Sequence, residues 1–158
     1  MDPDAYLCQL AEIFNGISVN TPSLSAIIAI ILAGLLLLAS GFASASEIAF
    51  FSLSPSDLND IEEGNHPSDG KISNLLADSE RLLATILITN NFVNVTIIML
   101  CNFFFMNVFV FHSPLAEFLI LTVILTFLLL LFGEIMPKIY SAQKTLAFCR
   151  FSAPVIYV

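Results

Sequence analysis

The sequence predicts an all-α membrane protein with three transmembrane helices and several short juxtamembrane helices. Of its 158 residues, 58% are hydrophobic and only 11% are charged, and the mean hydropathy is +0.92. Three apolar runs extend from about Leu24 to Leu53, from Leu82 to Phe111 and from Leu115 to Met136. Each run is long enough to cross a bilayer as a helix, which takes roughly 20 residues. The first run follows an acidic segment without Lys or Arg and is too long for a signal-peptide core, so we interpret it as a retained helix.

The distribution of charge predicts the orientation of the chain and excludes some partners. All five basic residues lie either between the first and second runs or after the third run: Lys71, Arg81, Lys138, Lys144 and Arg150. Because Lys and Arg mark the cytoplasmic side, we expect the amino terminus outside and the carboxyl terminus in the cytoplasm. The net charge of −8 argues against nucleic acid as a partner. The three cysteines show no spacing typical of a zinc site or a disulfide framework, and we interpret them as small apolar or surface residues.

The two ends of the chain are predicted to lie outside the spans. Residues 1–23 form an outer amino-terminal segment, with one helical turn or more over Ala5 to Phe14. Residues 139–158 place basic residues and a proline among apolar ones, which is typical of an interfacial amphipathic helix or helix pair. Because the sequence stops in apolar residues without a polar terminator, we expect cytoplasmic domains to follow Val158.

Residues 24–138 are predicted to form the membrane domain, which includes an intracellular helical hairpin over residues 54–81. Ser54 as a cap, with Pro55 in the first helical position and acidic residues after it, predicts a short helix that ends near Glu63. The Gly-Asn-His-Pro sequence that follows breaks this helix. A second short helix is expected over Ile72 to Asp78, leading into the next span.

Polar side chains cluster within the first two apolar runs. On a helix, serines four residues apart share a face, and so do asparagines four residues apart. Hydroxyl and amide oxygens are ligands that a hard cation such as magnesium accepts. The serines also fit a packing seam of small residues or hydrogen bonds to the preceding turn, whereas several amides close together in hydrocarbon each need polar partners. The candidates are Ser40, Ser44 and Ser46 in the first run, and Asn90, Asn91 and Asn94 in the second.

The third run ends in an ionisable residue, Glu134, within the sequence Gly133-Glu134-Ile135-Met136-Pro137-Lys138. A carboxylate near membrane depth costs a few kcal/mol or more, and it therefore suggests a functional site. Pro137 lacks an amide hydrogen and clashes with the carbonyl four residues earlier, so we expect the third span to end there and the Gly133 carbonyl to lose its helical partner. Broken helices of this kind form ion sites in transporters. The alternative is that Pro137 ends the helix at the interface and Glu134 snorkels to water.

Glu47, near the inner end of the first span, has two interpretations. It lines an entry path and takes part in ligation, or it has a structural role such as pairing with Arg81 or Lys138.

Three ordered motifs identify a family resemblance. They begin at Ser44-Ala45-Ser46-Glu47, at Leu83-Ala84-Thr85 (continuing to Asn94) and at Gly133-Glu134. Together they resemble the transmembrane domain (DUF21) of the CNNM/CorC family of magnesium transporters, whose bacterial members are often labelled hemolysin-like. The acidic loop and the Phe-rich second span also resemble the gliding-motility-associated branch.

This resemblance implies a multi-pass homodimer in the bacterial inner membrane, surrounded by lipid. Each subunit would bind one dehydrated Mg²⁺, the transported ion, among its three helices in an inward-facing cavity. Family members typically continue into cytoplasmic CBS domains that bind ATP; because this chain lacks them, no nucleotide is expected in it. The implied metal ligands are Ser40, Ser44, Asn90, Asn91, Asn94, the Gly133 carbonyl and Glu134.

The function expected from these features is magnesium transport by alternating access, and the resemblance implies that the direction is export. The alternative is a non-transporting membrane scaffold of a motility or secretion assembly, in which the polar residues join helices together. An enzyme is not expected, because no nucleophile and base are paired in the sequence and both histidines fall in predicted loops.

Overall fold

Three long apolar helices form the body of the protein, as the hydropathy predicts. The computed structural model describes residues 18–111 and 114–157, and the helical turn predicted over Ala5 to Phe14 lies outside these residues. The three helices that could span a membrane are Leu24–Phe51, Ser79–Val108 and Glu117–Gln143. In chain order the helices are α1 (Leu24–Phe51), α2 (Pro55–Glu62), α3 (Asp69–Ala77), α4 (Ser79–Val108), α5 (Pro114–Leu128), α6 (Met136–Gln143) and α7 (Thr145–Ile156). The chain is therefore an all-α, multi-pass membrane protein.

The hairpin between the first two spans forms much as the sequence predicts. Ser54 caps α2: its hydroxyl oxygen accepts from the Asp57 N–H at 3.2 Å, and the Asp57 carboxylate accepts from the Ser54 N–H at 2.9 Å. Hydrogen bonds from the Ser54 hydroxyl and, next, from its backbone N–H lower the pKa of the Asp57 carboxyl. Gly64 ends the turn after α2 with φ +68°, a conformation that favours glycine. The second helix, α3, begins at Asp69, three residues before the predicted start.

The third span does not end at Pro137. Between α5 and α6 lies a π-helical segment, Leu129–Ile135, in which the Met136 N–H bonds to the Leu131 carbonyl five residues earlier. Pro137 then occupies the first turn of α6, where a missing N–H is tolerated. The disruption that the sequence predicts near Pro137 is thus a wide helical turn, and the helix continues beyond it to Gln143.

Two hydrophobic clusters hold the helices together. One lies within the spans and is formed by Ala33, Ile97, Cys101 and Leu125. The other joins the hairpin and α7 to the ends of the spans that lie next to them, and it includes Phe50, Ile72, Leu82, Cys149 and Ala153. Burial raises the pKa of the Cys149 thiol to about 12, with a further contribution from Asp57, so this cysteine packs as a neutral apolar residue.

A short antiparallel strand pair, which the sequence did not predict, joins the far ends of the first two spans. Ser18–Val19 (β1) pairs with Phe109–Val110 (β2), with Ser18 opposite Val110 and Val19 opposite Phe109. The Asn20 N–H also donates to the Val108 carbonyl at 2.7 Å. This pair fixes the chain that enters α1 against the chain that leaves α4.

Candidate cation site

The first predicted serine, Ser40, lies at the centre of an oxygen-rich cluster between α1 and α4. Its side chain is fully buried, and its hydroxyl oxygen lies 2.8 Å from Asn90 Oδ1 and 2.6 Å from Asn94 Oδ1. The two asparagines are one turn apart on α4, which is why both reach the same atom. A hydroxyl carries one hydrogen, so Ser40 cannot donate a full hydrogen bond to both amide oxygens. Three side-chain oxygens therefore meet around a single hydroxyl hydrogen.

The third span reaches the same cluster through Gly133. Gly133 is buried, and a Cβ atom placed on it would lie 3.3 Å from Ser40 Oγ. A larger side chain here would press on the hydroxyl. The absence of a side chain thus lets the backbone of the π-helical segment approach Ser40 closely.

A second close contact holds α1 against α6 one residue further along. A Cβ on Gly41 would lie 3.0 Å from Pro137 Cγ and 3.4 Å from the Phe132 carbonyl oxygen. The absence of a side chain at Gly41 therefore permits the close approach of α1 to α6. Further along α1, the buried Ser141 hydroxyl of α6 donates to the Ala45 carbonyl. These two contacts, which both follow Ser40 along α1, therefore set the register between α1 and the third span.

Ser44, one turn after Ser40, is buried without a partner. Among the side chains that the structure describes, its hydroxyl oxygen is the one buried polar atom that makes no hydrogen bond. The neighbouring Ser46 behaves differently, because its hydroxyl donates to the Phe42 carbonyl at 2.7 Å, as serines in membrane helices commonly do. An unpaired buried hydroxyl lowers the stability of the folded protein by about 1–3 kcal/mol, so a functional reason for it is to be sought.

Glu134 follows Gly133 directly and is partly exposed. Lys138, one turn later in the third span, does not pair with Glu134, because its Nζ atom lies 3.4 Å from Glu47 Oε2. Glu47 is therefore paired structurally, which was one of the two interpretations of its role. All the lysines and arginines belong to the described residues, and none of them lies within 4 Å of the Glu134 carboxylate.

The structure brings together some of the predicted ligands but not all of them. Four of the predicted residues meet in one place: Ser40, Asn90, Asn94 and Gly133. Two more are close to them in sequence, since Ser44 is one helical turn after Ser40 and Glu134 follows Gly133 directly. Asn91 lies on an exposed face of α4, away from the cluster around Ser40. Within residues 18–111 and 114–157, no three His, Cys, Asp or Glu side chains converge. A cation held here would therefore meet hydroxyl, amide and backbone oxygens and a single carboxylate.

Comparison with protein families gives a match over most of the chain. The family described as the cyclin M transmembrane N-terminal domain, CNNM, matches residues 30–158. This range contains every candidate ligand. No curated protein matched the chain.

Proposed function

Because the chain belongs to the CNNM family of magnesium transporter domains, we propose that it binds Mg²⁺ between its three spans and transports it across the membrane. The observation that carries this proposal is the meeting of Ser40, Asn90 and Asn94 beside the π-helical backbone at Gly133. Their oxygens are chemically suited to a hard cation, and the single hydroxyl hydrogen of Ser40 cannot serve both amide oxygens fully.

The unpartnered Ser44 hydroxyl supports the same proposal. A buried polar atom without a partner is unfavourable in a site that serves only to pack helices. If a cation enters, the lone pairs of Ser44 can coordinate it. Ser40 and the amides of Asn90 and Asn94 would supply further oxygen ligands, with the Gly133 carbonyl completing the set from the third span.

Glu134 supplies the charge in this proposal. Mg²⁺ gives up its water reluctantly, so a site that dehydrates it needs a compensating negative group. Because Glu47 neutralises Lys138, no basic side chain competes with the ion for Glu134. The carboxylate both attracts the cation and lowers the cost of removing its water.

Transport requires that the ligands be exposed alternately on the two sides, and the π-helical segment is suited to such a rearrangement. The hydrogen bonds of this seven-residue segment join residues five apart. If they shifted by one residue to join residues four apart, the segment would become an ordinary α-helix. π-helical turns are frequent at functional sites. Such a shift would move the Gly133 carbonyl and Glu134 relative to Ser40. We propose export from the cytoplasm by a homodimer in a bacterial inner membrane, with cytoplasmic CBS domains downstream.

The test is a magnesium titration of the thermal midpoint of the purified chain, with wild type, Glu134→Gln and Glu117→Gln compared. Glu117 belongs to the same span but lies at its opposite end, so it is a matched control. We expect a saturable rise in wild type and in Glu117→Gln, as for any ligand that binds only the folded state, and no rise in Glu134→Gln. Equal rises in all three proteins would show that Glu134 does not hold the ion.

The scaffold alternative draws on the same hydrogen bonds, because Ser40 joins α1 to α4 through Asn90 and Asn94. It makes a different prediction for Asn94→Ala. A scaffold loses stability equally with and without Mg²⁺, whereas a transporter loses the magnesium-dependent part of its stability. A wild-type midpoint that does not respond to Mg²⁺ would favour the scaffold.

A further inference from the structure

A polar cleft of about 320 Å³ lies where the end of α3, the start of α4 and the end of α7 meet. It is separate from the cation cluster, which involves the middle of α1 and α4. Its polar lining consists of Asn74, Asp78, Arg81, Thr85 and Tyr157, and Leu82 and Ile156 contribute to its apolar part.

Two opposite charges line this cleft without pairing with each other. Arg81 lies three residues after Asp78, but no Asp or Glu of the described chain approaches its guanidinium within 4 Å. Asp78 caps α4, with its carboxylate accepting from the Arg81 N–H at a long 3.4 Å. The Lys71 ammonium adjoins the cleft, 5.9 Å from the centre of the Tyr157 ring, and Glu80 is exposed beside Arg81. The cleft thus presents a cation and an anion that are both available to a ligand.

The position of the cleft relative to the membrane indicates the kind of ligand. With 30 residues, α4 is about 45 Å long, whereas the hydrocarbon core of a bilayer is about 30 Å thick. The part of this helix that carries no charged residue begins at Leu82, so Arg81 and Asp78 lie in the headgroup region. A molecule that occupies the cleft would have lipid acyl chains directly below it.

We propose that this cleft binds the zwitterionic phosphoethanolamine headgroup of a membrane phospholipid. The Arg81 guanidinium donates to the phosphate oxygens, in the forked geometry that suits this anion. The Asp78 carboxylate accepts hydrogen bonds from the primary ammonium. Leu82 and Ile156 contact the glycerol and the first methylene groups. A purely anionic headgroup would leave Asp78 facing a negative ligand, and a choline headgroup has no N–H to donate.

The test compares lipids and variants by the thermal midpoint of the full chain in a neutral detergent. Short-chain phosphatidylethanolamine, phosphatidylcholine and phosphatidylglycerol are titrated separately, together with glycerophosphoethanolamine, which has the same headgroup but no acyl chains. The variants are Arg81→Gln and Asp78→Asn, the latter because asparagine also caps helices. The matched controls are Lys144→Gln, whose ammonium likewise lies 5.9 Å from a tyrosine ring centre, and Glu62→Gln on the exposed side of α2.

We expect phosphatidylethanolamine to raise the wild-type midpoint saturably and more than either other lipid. Arg81→Gln should lose the response to every lipid, and Asp78→Asn should lose the preference for ethanolamine over choline, while both controls keep the wild-type response. Each shift is measured against the same variant without lipid, so a change in basal stability does not affect the comparison. Equal responses to the three lipids, or equal losses in the controls, would overturn the proposal. An equal response to glycerophosphoethanolamine would overturn the assignment to a lipid.

Discussion

At the scale of single residues, the serines of α1 show how neighbouring hydroxyls acquire different roles. Ser46 satisfies its own hydrogen-bonding capacity by donating to Phe42, and Ser40 donates across to α4. The Ser44 hydroxyl has no hydrogen-bond partner although it is completely buried. The spacing in the sequence places Ser40 and Ser44 on one face, but it cannot show which hydroxyl lacks a partner, because that depends on the neighbouring helices.

This difference predicts opposite outcomes for two alanine substitutions. Ser44→Ala should leave the stability of the magnesium-free protein unchanged or slightly higher, because it removes an unsatisfied buried hydroxyl. It should nevertheless weaken the magnesium-dependent rise in thermal midpoint. Ser46→Ala, two residues away, should keep that rise. If Ser44→Ala responds to Mg²⁺ as the wild type does, Ser44 is not a ligand.

At the scale of whole elements, the sequence predicts the spans and the hairpin well but not their irregularities. Apolar runs and the Ser54-Pro55 cap are local signals, so α1, α4 and α2 could be predicted from them. Pro137 marks the disruption in the third span, but no local pattern predicts that this disruption is π-helical or that Gly41 of α1, distant in sequence, packs against it. The pairing of Ser18–Val19 with Phe109–Val110 involves too few residues to show any periodicity.

The close contact between α1 and α6 gives a prediction that compares two glycines of the same helix. Gly41→Ala places a methyl group 3.0 Å from the rigid ring of Pro137, and we expect a loss of about 1–3 kcal/mol from overpacking. Gly34→Ala meets nothing within 4 Å and should gain about 0.5–1 kcal/mol, the usual difference between Ala and Gly inside a helix. Unfolding in denaturant measures both values. A Gly41→Ala protein as stable as Gly34→Ala would show that α1 and α6 do not need this approach.

At the scale of the molecule, the cation cluster lies between the two hydrophobic clusters. We call the cluster around Ala33 and Ile97 the membrane core, and the cluster around Ile72 and Cys149 the juxtamembrane core. The juxtamembrane core is closed by the ion pair of Asp69 in α3 and Arg150 in α7, with distances of 2.9 and 3.1 Å between their nitrogens and oxygens. The Asp69 carboxylate is completely buried and also accepts from the His66 N–H. The sequence places acidic residues in the hairpin and Arg150 near the carboxyl end, but their partnership spans 81 positions and no local pattern reveals it.

The Asp69–Arg150 pair predicts a pH-dependent stability of the juxtamembrane core. Hydrogen bonds from Arg150 hold the pKa of the Asp69 carboxyl below its ordinary value despite its burial. A carboxyl whose pKa is lower in the folded state contributes stability above its unfolded pKa, about 3.9, and loses it as the pH falls through the lower folded value.

At pH 7, Asp69→Asn should therefore destabilise the protein by about 3 kcal/mol, the lower end for a broken buried pair, because the Arg150 side chain remains 24% exposed. The exposed Asp60→Asn, on the neighbouring helix α2, should change stability by less than about 0.5 kcal/mol. Thermal midpoints of the three proteins between pH 7 and pH 3 should show the gap between wild type and Asp69→Asn closing only below pH 4. A gap that stays constant over this range would mean that the charge of Asp69 does not stabilise the contact between α3 and α7.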